Sequence, residues 1–518
     1  MTHPGLPEIW GYIVWGFMGV LTLWVLFKDA PENISLKQNS LAKIKPFQPF
    51  IKLITTSPWV LLFLKILVIS LFLLVIIAGL NGTPIPERNI ATVLTWNIWW
   101  AGLIVSIFFF GSAWCAVCPW DTLATWLVKP RIWLNNKSGF NFKINNSLEI
   151  KPPKWLRNVW PALLMFIGLT WLELGVGVTT SPYWTALLSL LMVVMATVTL
   201  AIFKNKAFCH YICPVGRTVG FYAQLAPVEL RPIDEDICSS CSSLECFTGT
   251  EKVDACPTQI VMGRLTQNTY CTSCGNCTQS CPEENITWRI RPQSHEAVQS
   301  ARPHWDEAWF MLALLALTSF HGITMMQFWE GWISQFAQTI GDSGQLLISF
   351  TAGLIISMIV PALIYTIAIL LTRYLTKVEI NFKKLFTGLV FITLPLAFAY
   401  HLAHNLNHMI RESVGASQLF FNPLGIGVQP KNLTDSILKE FNMILSQDVL
   451  FAIQAFLMMF GFWIAIKVLR HRGQRLLASS GWRLLPMMAF ILIINGFNLW
   501  MLSQPMIMRL GALCIAPL

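Results

Sequence analysis

Residues 238–282 read CSSCSSLECFTGTEKVDACPTQIVMGRLTQNTYCTSCGNCTQSCP, a stretch with eight cysteines. The first run is Cys238-x2-Cys241-x4-Cys246-x9-Cys256 and the second is Cys271-x2-Cys274-x2-Cys277-x3-Cys281, each followed by proline. Closely spaced thiolates with a fourth cysteine before proline are typical of [4Fe–4S] ligation. Zinc ribbons favour two CxxC pairs with a longer spacer and often use histidine, and no histidine lies within this stretch. The segment therefore predicts single-electron transfer through iron–sulfur clusters.

The two runs predict two clusters with crossed ligands. In a two-cluster ferredoxin domain, the fourth cysteine of each run ligates the cluster of the other run. The expected ligands of cluster 1 are Cys238, Cys241, Cys246 and Cys281, and those of cluster 2 are Cys256, Cys271, Cys274 and Cys277. Disulfides are the alternative, but they belong to oxidising compartments, and the topology derived below places the segment in the cytoplasm.

The rest of the chain has the composition of a membrane protein. Hydrophobic residues make up 55% of the 518 residues and charged residues only 12%. A helix needs about 20 apolar residues to cross the hydrocarbon core. Ten candidate spans lie near residues 6–27, 58–80, 91–114, 158–178, 184–203, 306–328, 345–371, 385–410, 447–467 and 484–508. Trp96, Trp99 and Trp100, near one end of the third span, indicate an interfacial aromatic belt.

The distribution of basic residues predicts the orientation. With the N-terminus in the periplasm, thirty of the 36 Lys and Arg residues fall in cytoplasmic connections, and five fall on the other side. Lys65 lies inside the second span and can extend toward the cytoplasm. Both termini are then periplasmic, and the eight cysteines are cytoplasmic. The net charge of +10 reflects this topology and contact with anionic membrane lipid, and it gives no reason to expect nucleic acid as a partner.

These observations predict an all-α polytopic membrane protein of about ten transmembrane helices, with an inserted cytoplasmic two-cluster ferredoxin-like α+β domain. Residues 1–228 form the expected N-terminal membrane domain and residues 229–304 the expected ferredoxin domain. Residues 305–518 form the expected C-terminal membrane domain.

Two further cysteine pairs end two of the spans. Cys115-x2-Cys118 precedes Pro119, and Cys209-x3-Cys213 precedes Pro214. Proline after the second cysteine forces a turn where the helix leaves the membrane. All four thiols are expected at the cytoplasmic membrane surface as a third redox or metal site. The alternative is two structural pairs, or thiols that exchange with a partner, because sequence spacing alone cannot bring the pairs together.

A helix that ends in Cys-x3-Cys-Pro, followed by an eight-cysteine segment, resembles the NapH/NosR type of membrane polyferredoxin, with CcoG-like proteins as more distant relatives. The resemblance covers roughly residues 60–292. It implies a bacterial inner-membrane protein that passes electrons between the quinone pool or cytoplasmic donors and a respiratory or metal-handling partner. The chain departs from this pattern in the Cys-x2-Cys spacing of its first pair and in residues 306–518, which the smaller polyferredoxins lack.

Four histidines form another candidate site, in the C-terminal half of the chain. His401, His404 and His408 share one face of the eighth span, and His321 lies at a similar depth in the sixth. Ionisable groups inside a membrane are costly and are functional-site candidates. Three interpretations stay open: haem b held by His321 and one of the other three, a non-haem metal, or a hydrogen-bonded polar network, with a quinone as a candidate partner.

Glu173, in the fourth span, is a candidate proton acceptor from quinol. The sequence thus predicts an electron-transfer component that relays electrons between a cytoplasmic or quinone-pool donor and a membrane or periplasmic acceptor. Its partners are redox proteins, and a quinol-linked oxidoreductase is the enzymatic form of the same role. The alternative is a metal-handling protein, a reductase or transporter of an ion held at the histidines.

The predicted topology can be tested with reporter fusions. A reporter joined after Pro292 should show a cytoplasmic location, and one joined after Gly415 a periplasmic location, because the basic residues assign those sides. A paired alkaline phosphatase and fluorescent-protein assay measures both. The opposite location at either site would contradict the assignment.

Overall fold

The computed structural model describes residues 2–28, 39–40, 57–132, 142–251, 253–377, 379–430, 442–477 and 481–507. Most of them are helical. The main helices are α1 (Glu8–Phe27), α2 (Pro58–Asn81), α3 (Ile90–Phe110), α4 (Pro119–Val128), α5 (Trp160–Val176), α6 (Pro182–Ile202), α7 (Pro214–Tyr222), α8 (Trp305–Ile323), α9 (Gln327–Ile340), α10 (Leu347–Thr376), α11 (Phe382–Glu412), α12 (Gln447–Leu477) and α13 (Gly481–Ser503). Short helical segments are Pro86–Arg88, Trp114–Val117, Lys154–Leu156, Val178–Thr180, Phe208–Ile212, Ala223–Leu225, Glu235–Ser240, Glu245–Thr248, Met262–Arg264, Asn268–Tyr270, Asn276–Ser280, Glu296–Ser300 and Ala416–Leu419.

Eight of these helices, within the described residues, are long and apolar enough to cross a membrane: α1, α2, α3, α6, α10, α11, α12 and α13. The chain is therefore a multi-pass membrane protein with fewer clear spans than the ten expected. The expected span 158–178 corresponds to α5, a shorter apolar helix. The expected span 306–328 corresponds to α8, whose first turn carries Asp306 and Glu307. The C-terminus, expected in the periplasm, lies outside the described residues.

The strands are few and short. They are β1 (Thr2–His3), β2 (Asn39–Ser40), β3 (Arg131–Ile132), β4 (Phe142–Lys143), β5 (Val228–Pro232), β6 (Ile286–Ile290) and β7 (Met506–Ile507). All pairs are antiparallel: β1 with β7, β3 with β4, and β2-β6-β5 in a three-stranded sheet. In the β5–β6 pair, Val228 faces Ile290 and Pro232 faces Ile286. The two strands lie before and after the eight-cysteine stretch in the chain, and their pairing closes it into a loop. We call this strand pair the clasp.

Helix α11 occupies the centre of the membrane region. All residues in the most apolar part of α11 are buried inside the protein, whereas only 17% of the residues in the most apolar part of α2 are buried. Helices α3, α8, α12 and α13 pack around it. Its histidines and asparagines explain the position, because polar side chains inside a membrane face the protein interior and not the lipid.

The N-terminal helix packs with the C-terminal half of the chain. Helix α1 contacts α12 and α13, and β1 pairs with β7. The backbone N–H of Leu6 donates to the carbonyl of Leu502 at 2.8 Å. One continuous apolar core therefore joins the first helix to the last two.

A buried network of charges fastens the eight-cysteine stretch to the membrane helices. Its members are Glu229, Arg231, Arg289, Arg291 and Glu296. The Glu296 side chain, 1% exposed, accepts from Arg231 at 2.9 Å and also from Arg291. Burial raises the pKa of the Glu229 carboxyl, but the guanidinium groups around it outweigh that effect and lower the pKa. Arg472 of α12 donates to the carbonyl oxygens of Ala297 and Ala301, which ties the network to the bundle.

Replacing Glu296 by Gln should destabilise this clasp by about 3–5 kcal/mol, because two buried guanidinium groups lose a carboxylate partner. The matched control is Glu235→Gln, whose side chain is 75% exposed and 3.9 Å from Arg289, so no measurable change is expected. A denaturant titration of the purified protein, followed by bleaching of the visible iron–sulfur absorbance, measures the difference. Equal midpoints for the two variants would contradict the prediction.

Candidate redox site

The two membrane cysteine pairs meet in the structure. Pro119 and Pro214 begin α4 and α7, and the cysteine before each proline is the N-terminal cap of its helix. The backbone N–H of Gly216 donates to Sγ of Cys213 at 3.2 Å. All four thiols line one small cavity of about 20 Å³, here called the thiol cavity, whose cysteines are Cys115, Cys118, Cys209, Cys213 and also Cys271. Chain segments almost 100 residues apart thus form one cysteine site.

Charged side chains surround the thiol cavity. Asp121 accepts from Sγ of Cys209 at 3.4 Å and from Nζ of Lys206 at 2.5 Å. Burial lowers the pKa of Lys206, but the negative charge of Asp121 and its hydrogen bond outweigh that effect and raise the pKa, so Lys206 stays protonated. Burial also raises the pKa of Cys115 to about 12 and that of Cys213 to about 11. Without a metal these thiols are protonated and inert, and a metal centre must release their protons on binding.

The first group of cysteines in the eight-cysteine stretch consists of Cys238, Cys241, Cys246 and Cys281. Burial raises the pKa of Cys238, and the negative charges of the other three thiolates raise it further. The side-chain amide of Asn285 donates to Sγ of Cys238 at 3.4 Å. The Cys281 thiol, from the second run, thus lies beside thiols of the first run.

The second group consists of Cys256, Cys271, Cys274 and Cys277. Burial raises the pKa of Cys277 far above its usual value, and the charges of Cys274, Cys271 and Cys256 raise it further. Backbone N–H groups donate to sulfur here too, from Ile260 to Cys256 at 3.3 Å and from Ser273 to Cys271 at 3.4 Å. Donors of this kind stabilise thiolates that ligate iron.

Tight loops carry the cysteines. Three residues of this stretch that are not glycine have left-handed backbone, namely Leu244, Gln259 and Ser273, and Glu284 just after it does too. This conformation is strained for L-residues and persists where the surroundings require it. Within the described residues no three His, Cys, Asp or Glu side chains converge on a point that could hold a single metal ion. Groups of four thiols in tight loops with N–H donors to sulfur fit a multi-iron cluster, which spreads its ligands around a cube.

The second cysteine run lies directly on the membrane helices. A Cβ at Gly220 would lie 2.1 Å from the carbonyl oxygen of Thr269, so only glycine permits this approach of α7. Arg217 donates to the carbonyl oxygens of Thr269 and Cys209, at 2.9 and 3.1 Å. Through these contacts the second group and the thiol cavity share a wall, which includes Cys271.

The four histidines expected as a site do converge. His321, His401, His404 and His408 line one cavity of about 150 Å³, here called the histidine cavity. Nδ1 of His321 and Nε2 of His404 are 3.1 Å apart, and the rings of His404 and His408 are centred 4.6 Å apart. His401 lies at the end nearer α7, where its Nδ1 is 3.2 Å from the hydroxyl of Tyr222.

Haem b does not fit this arrangement. Sites for drug-sized ligands measure roughly 300–1,000 Å³, and a haem is at least as large, whereas the cavity measures about 150 Å³. The imidazoles of His321 and His404 are in direct hydrogen-bonding contact, which leaves no space for an iron porphyrin between them. A mononuclear metal also lacks a converging set of three ligands among the described residues. The polar network is the interpretation that the geometry favours.

A second cavity, of about 290 Å³, lies between the histidine cavity and the thiol cavity. We call it the apolar cavity, because aliphatic and tryptophan side chains line it almost completely. Trp96, Trp99 and Trp100 are part of this lining, which corrects their expected role as an interfacial belt. Glu173 borders both the apolar cavity and the histidine cavity, whereas Trp114 and Trp120 border both the apolar cavity and the thiol cavity.

Three segments at these cavities form π-helical turns: Val93–Trp99, Leu172–Val176 and Phe208–Ile212. Such turns are rare and often occur at functional sites. They place Trp96, Glu173 and Cys209 at the walls of the three cavities. The extra residue in each turn is not visible in hydrophobic periodicity, so these turns could not be predicted from the sequence.

Comparisons with known proteins support iron–sulfur chemistry at the membrane cysteines. A family model described as a 4Fe-4S binding domain matches residues 92–141 and 185–226, which carry both membrane pairs. An uncharacterized protein of Methanocaldococcus jannaschii is 26% identical over 229 residues, covering 44% of this chain and 83% of the relative. YccM of Escherichia coli K12, whose name describes an electron transport protein, is 31% identical over 118 residues, covering 22% of this chain and 30% of the relative. No solved structure matches the chain significantly. The chain thus contains a 4Fe-4S binding domain, which supports an iron–sulfur electron-transfer role.

Sequence reasoning missed several residues of the site. Asp121 follows Cys118 by three residues, and Lys206 precedes Cys209 by three residues. This proximity to the cysteine pairs is a signal that could have identified both. His3 carries no such signal, yet its ring is centred 5.3 Å from that of His408. That contact joins residues about 400 positions apart, and no local pattern reveals it.

Replacing Cys241 or Cys274 by Ala should each remove one cluster, and a different one, because the two thiols belong to different groups. We expect a loss of about four iron atoms per chain in each variant and of about eight in the double variant, with unchanged membrane insertion. Iron and acid-labile sulfide analysis of the purified protein measures this. The matched control is Ser243→Ala, which removes a hydroxyl 3.7 Å from Sγ of Cys241 and should keep full iron content. Full iron in both cysteine variants would contradict the grouping.

Proposed function

We propose that this protein transfers single electrons between a redox partner at the cytoplasmic side and the quinone pool of a bacterial inner membrane. The proposed carriers are three [4Fe–4S] clusters, held by the first group, the second group and the four thiols of the membrane pairs. When bound, such clusters supply one-electron carriers whose potentials depend on nearby charge and hydrogen bonds. The electron-transport name of YccM supports this role.

The observation that carries the proposal is the continuity of the cysteine groups with the apolar cavity. Cys271 belongs to the second group and also lines the thiol cavity. Trp114 and Trp120 line the thiol cavity on one side and the apolar cavity on the other. An electron can therefore pass from the outer cysteine group to the membrane interior through adjoining sites, without leaving the protein.

The residues around the thiol cavity suit a negatively charged centre. Lys206 and Arg217 lie beside it, and Lys65 of α2 interacts electrostatically with Cys118 and Cys274. Their positive charge offsets the thiolates that a cluster requires. Asp121 keeps Lys206 protonated and in place.

The apolar cavity suits a quinone. It is about 290 Å³ in volume, its walls are aliphatic and indole side chains, and it lies at membrane depth. The few polar groups on its wall include Glu173 and the hydroxyls of Thr185 and Ser189, where the oxygens of a quinone ring can find hydrogen-bond partners. Trp96 is held by a hydrogen bond from its indole N–H to Thr185 at 3.0 Å, which fixes one wall.

The same observations support the finer resemblance to the NapH/NosR type of polyferredoxin. In this proposal, residues 229–304 are an inserted two-cluster α+β ferredoxin domain that faces the cytoplasm. The strands β5 and β6 and the short helices between them supply its α and β elements. Its redox partner binds near the first group, where Cys241 lies at the outer surface of the stretch.

Replacing Cys213 by Ala should disconnect the eight-cysteine stretch from the quinone. We expect iron to fall from about twelve to about eight atoms per chain, while dithionite still reduces the remaining clusters. Reoxidation of the reduced protein by an added short-chain quinone should become much slower, because the thiol cavity is the link to the apolar cavity. Anaerobic stopped-flow absorbance measures the rate.

Cys514→Ala is the control for that variant, since Cys514 is the one cysteine outside the motifs. It should keep both the iron content and the rate of the unmodified protein. Equal iron contents and rates for the Cys213→Ala and Cys514→Ala variants would refute the role proposed for the membrane cysteines.

A further inference from the structure

A row of imidazoles crosses the outer half of the membrane region. We call it the histidine row; its members are His3, His408, His404, His321 and His401. Ring centroids are 5.3 Å apart for His3 and His408, 4.6 Å for His408 and His404, and 5.1 Å for His404 and His321. His401 lines the same cavity one turn further along α11. Nδ1 of His321 and Nε2 of His404 are 3.1 Å apart, a hydrogen-bonding distance, and a bridging water can join ring nitrogens that do not meet directly.

The outer end of the row is anchored by the N-terminal strand. The pairing of β1 with β7 places His3 opposite Met506, and only 4% of its surface is exposed. Its Nε2 lies 3.1 Å from a carboxylate oxygen of Glu412, the last residue of α11. Nδ1 of His3 is buried with no hydrogen-bond partner among the described residues. Glu412 in turn borders another cavity, of about 190 Å³, with Arg88 and Gly415.

The inner end of the row is Glu173. Its side chain borders the histidine cavity together with Thr170, Thr179 and Asn405, so that cavity is polar where the adjoining apolar cavity is not. A polar cavity of about 150 Å³ has room for several hydrogen-bonded waters. Glu173 is thus placed between a water-accessible chamber and the apolar cavity.

The direction of the row follows from α11. This helix begins at Phe382, and in its first turns the carbonyl of Gly388 accepts from Arg472, which also contacts the charge network of the eight-cysteine stretch. It ends at Glu412, 31 residues from its start, or about 45 Å along the helix axis. The two ends of α11 therefore lie at opposite faces of the membrane, and Glu412 lies at the face opposite the cysteines.

We propose that the histidine row conducts protons between Glu412 and Glu173, and so couples electron transfer to proton movement from the membrane face opposite the cysteines. Imidazole can donate at one ring nitrogen while it accepts at the other, which a relay requires. Chains of His and Glu inside membranes serve as proton relays in pumps and transporters. Such a function accounts for four buried imidazoles and the half-buried His321 beside them, which are costly inside a membrane.

The proposal rests on the proposed function, since the quinone supplies the chemistry. A quinone in the apolar cavity that gains two electrons, one at a time through the cysteine sites, also gains two protons and forms two O–H bonds. Glu173 donates each proton to a quinone oxygen and regains it from the histidine row. In quinol oxidation the same steps run in reverse: two O–H bonds break, and the protons leave toward Glu412.

The test uses the full-length protein in proteoliposomes that trap a pH-sensitive dye, with potassium and valinomycin to prevent a membrane potential. Stoichiometric dithionite added outside reaches only molecules whose eight cysteines face outward, because it crosses bilayers poorly. Addition of a short-chain quinone should then reoxidise these molecules, and the lumen should become alkaline by one proton per electron. A protonophore should abolish that signal.

Two variants, one at the outer end of the row and one in its middle, keep the test from depending on a single substitution. His404→Gln and His3→Gln should retain full iron and reduction by dithionite, while quinone-driven reoxidation and lumen alkalinisation slow by about a hundredfold. The matched control is His471→Gln, because His471 lies on α12 at the cytoplasmic side, where its Nδ1 contacts the carbonyl of Lys467 at 2.8 Å, away from the histidine cavity. It should leave both rates unchanged.

The outcomes separate the two proposals. Reoxidation by quinone with protons taken from outside, or with normal rates in both row variants, would overturn the histidine row and leave the proposed function standing. A protein with full iron that no quinone can reoxidise would overturn the quinone as partner, and the proton route with it. Slow reoxidation in the row variants, with loss of lumen alkalinisation, would support both.

Discussion

Two helix ends that finish in cysteine and proline meet at the same face of the membrane, and the rest of the site depends on that meeting. Each proline lets the chain leave one helix and begin the next within a residue. The turns bring four thiols from α3–α4 and α6–α7 into one cavity. The second cysteine run then lies on α7 through Gly220 and Arg217, so the ferredoxin-type segment is positioned by the membrane cysteines and not by a flexible tether.

The second organising constraint is the cost of polar groups in lipid. Helix α11 carries the histidines and is enclosed on all sides, while the apolar α2 is left at the periphery. The cost of polar groups in lipid also explains why the apolar cavity and the histidine cavity are separate. Tryptophans and aliphatic side chains face the apolar cavity, and imidazoles, hydroxyls and amides face the histidine cavity. Among the described residues, Glu173, Trp96 and Trp100 border both cavities and form the wall between them.

Much of this arrangement is predictable from the sequence. The spacing of Cys271, Cys274 and Cys277 predicts iron–sulfur ligands, and the structure brings these thiols together with Cys256. Eight of the ten expected spans recur as long apolar helices. Helical periodicity also places His401, His404 and His408 on one face. These signals are local, and they require only distances along one helix or loop.

What could not be predicted depends on contacts between distant segments. The sequence gives no reason for Cys115 to meet Cys213, or for His3 to lie beside His408. Residue types alone allow a haem between His321 and one of the other three histidines, but the direct contact of His321 with His404 leaves no space between that pair, and such space is a property of packing. The charges near the thiol cavity were overlooked for a related reason, since Asp121 and Lys206 become partners only when α4 and α6 are assembled.

The packing of α1 against α12 and α13 has a consequence for synthesis. Helix α1 leaves the ribosome about 420 residues before its partner helix α12. At about 5–20 residues per second, α1 waits in the bilayer for roughly 20–80 s before its neighbours exist. During that interval the cysteines of residues 238–281 have already emerged, while β1 has not yet closed over the bundle. Iron–sulfur assembly can thus proceed on the nascent chain before β1 pairs with β7.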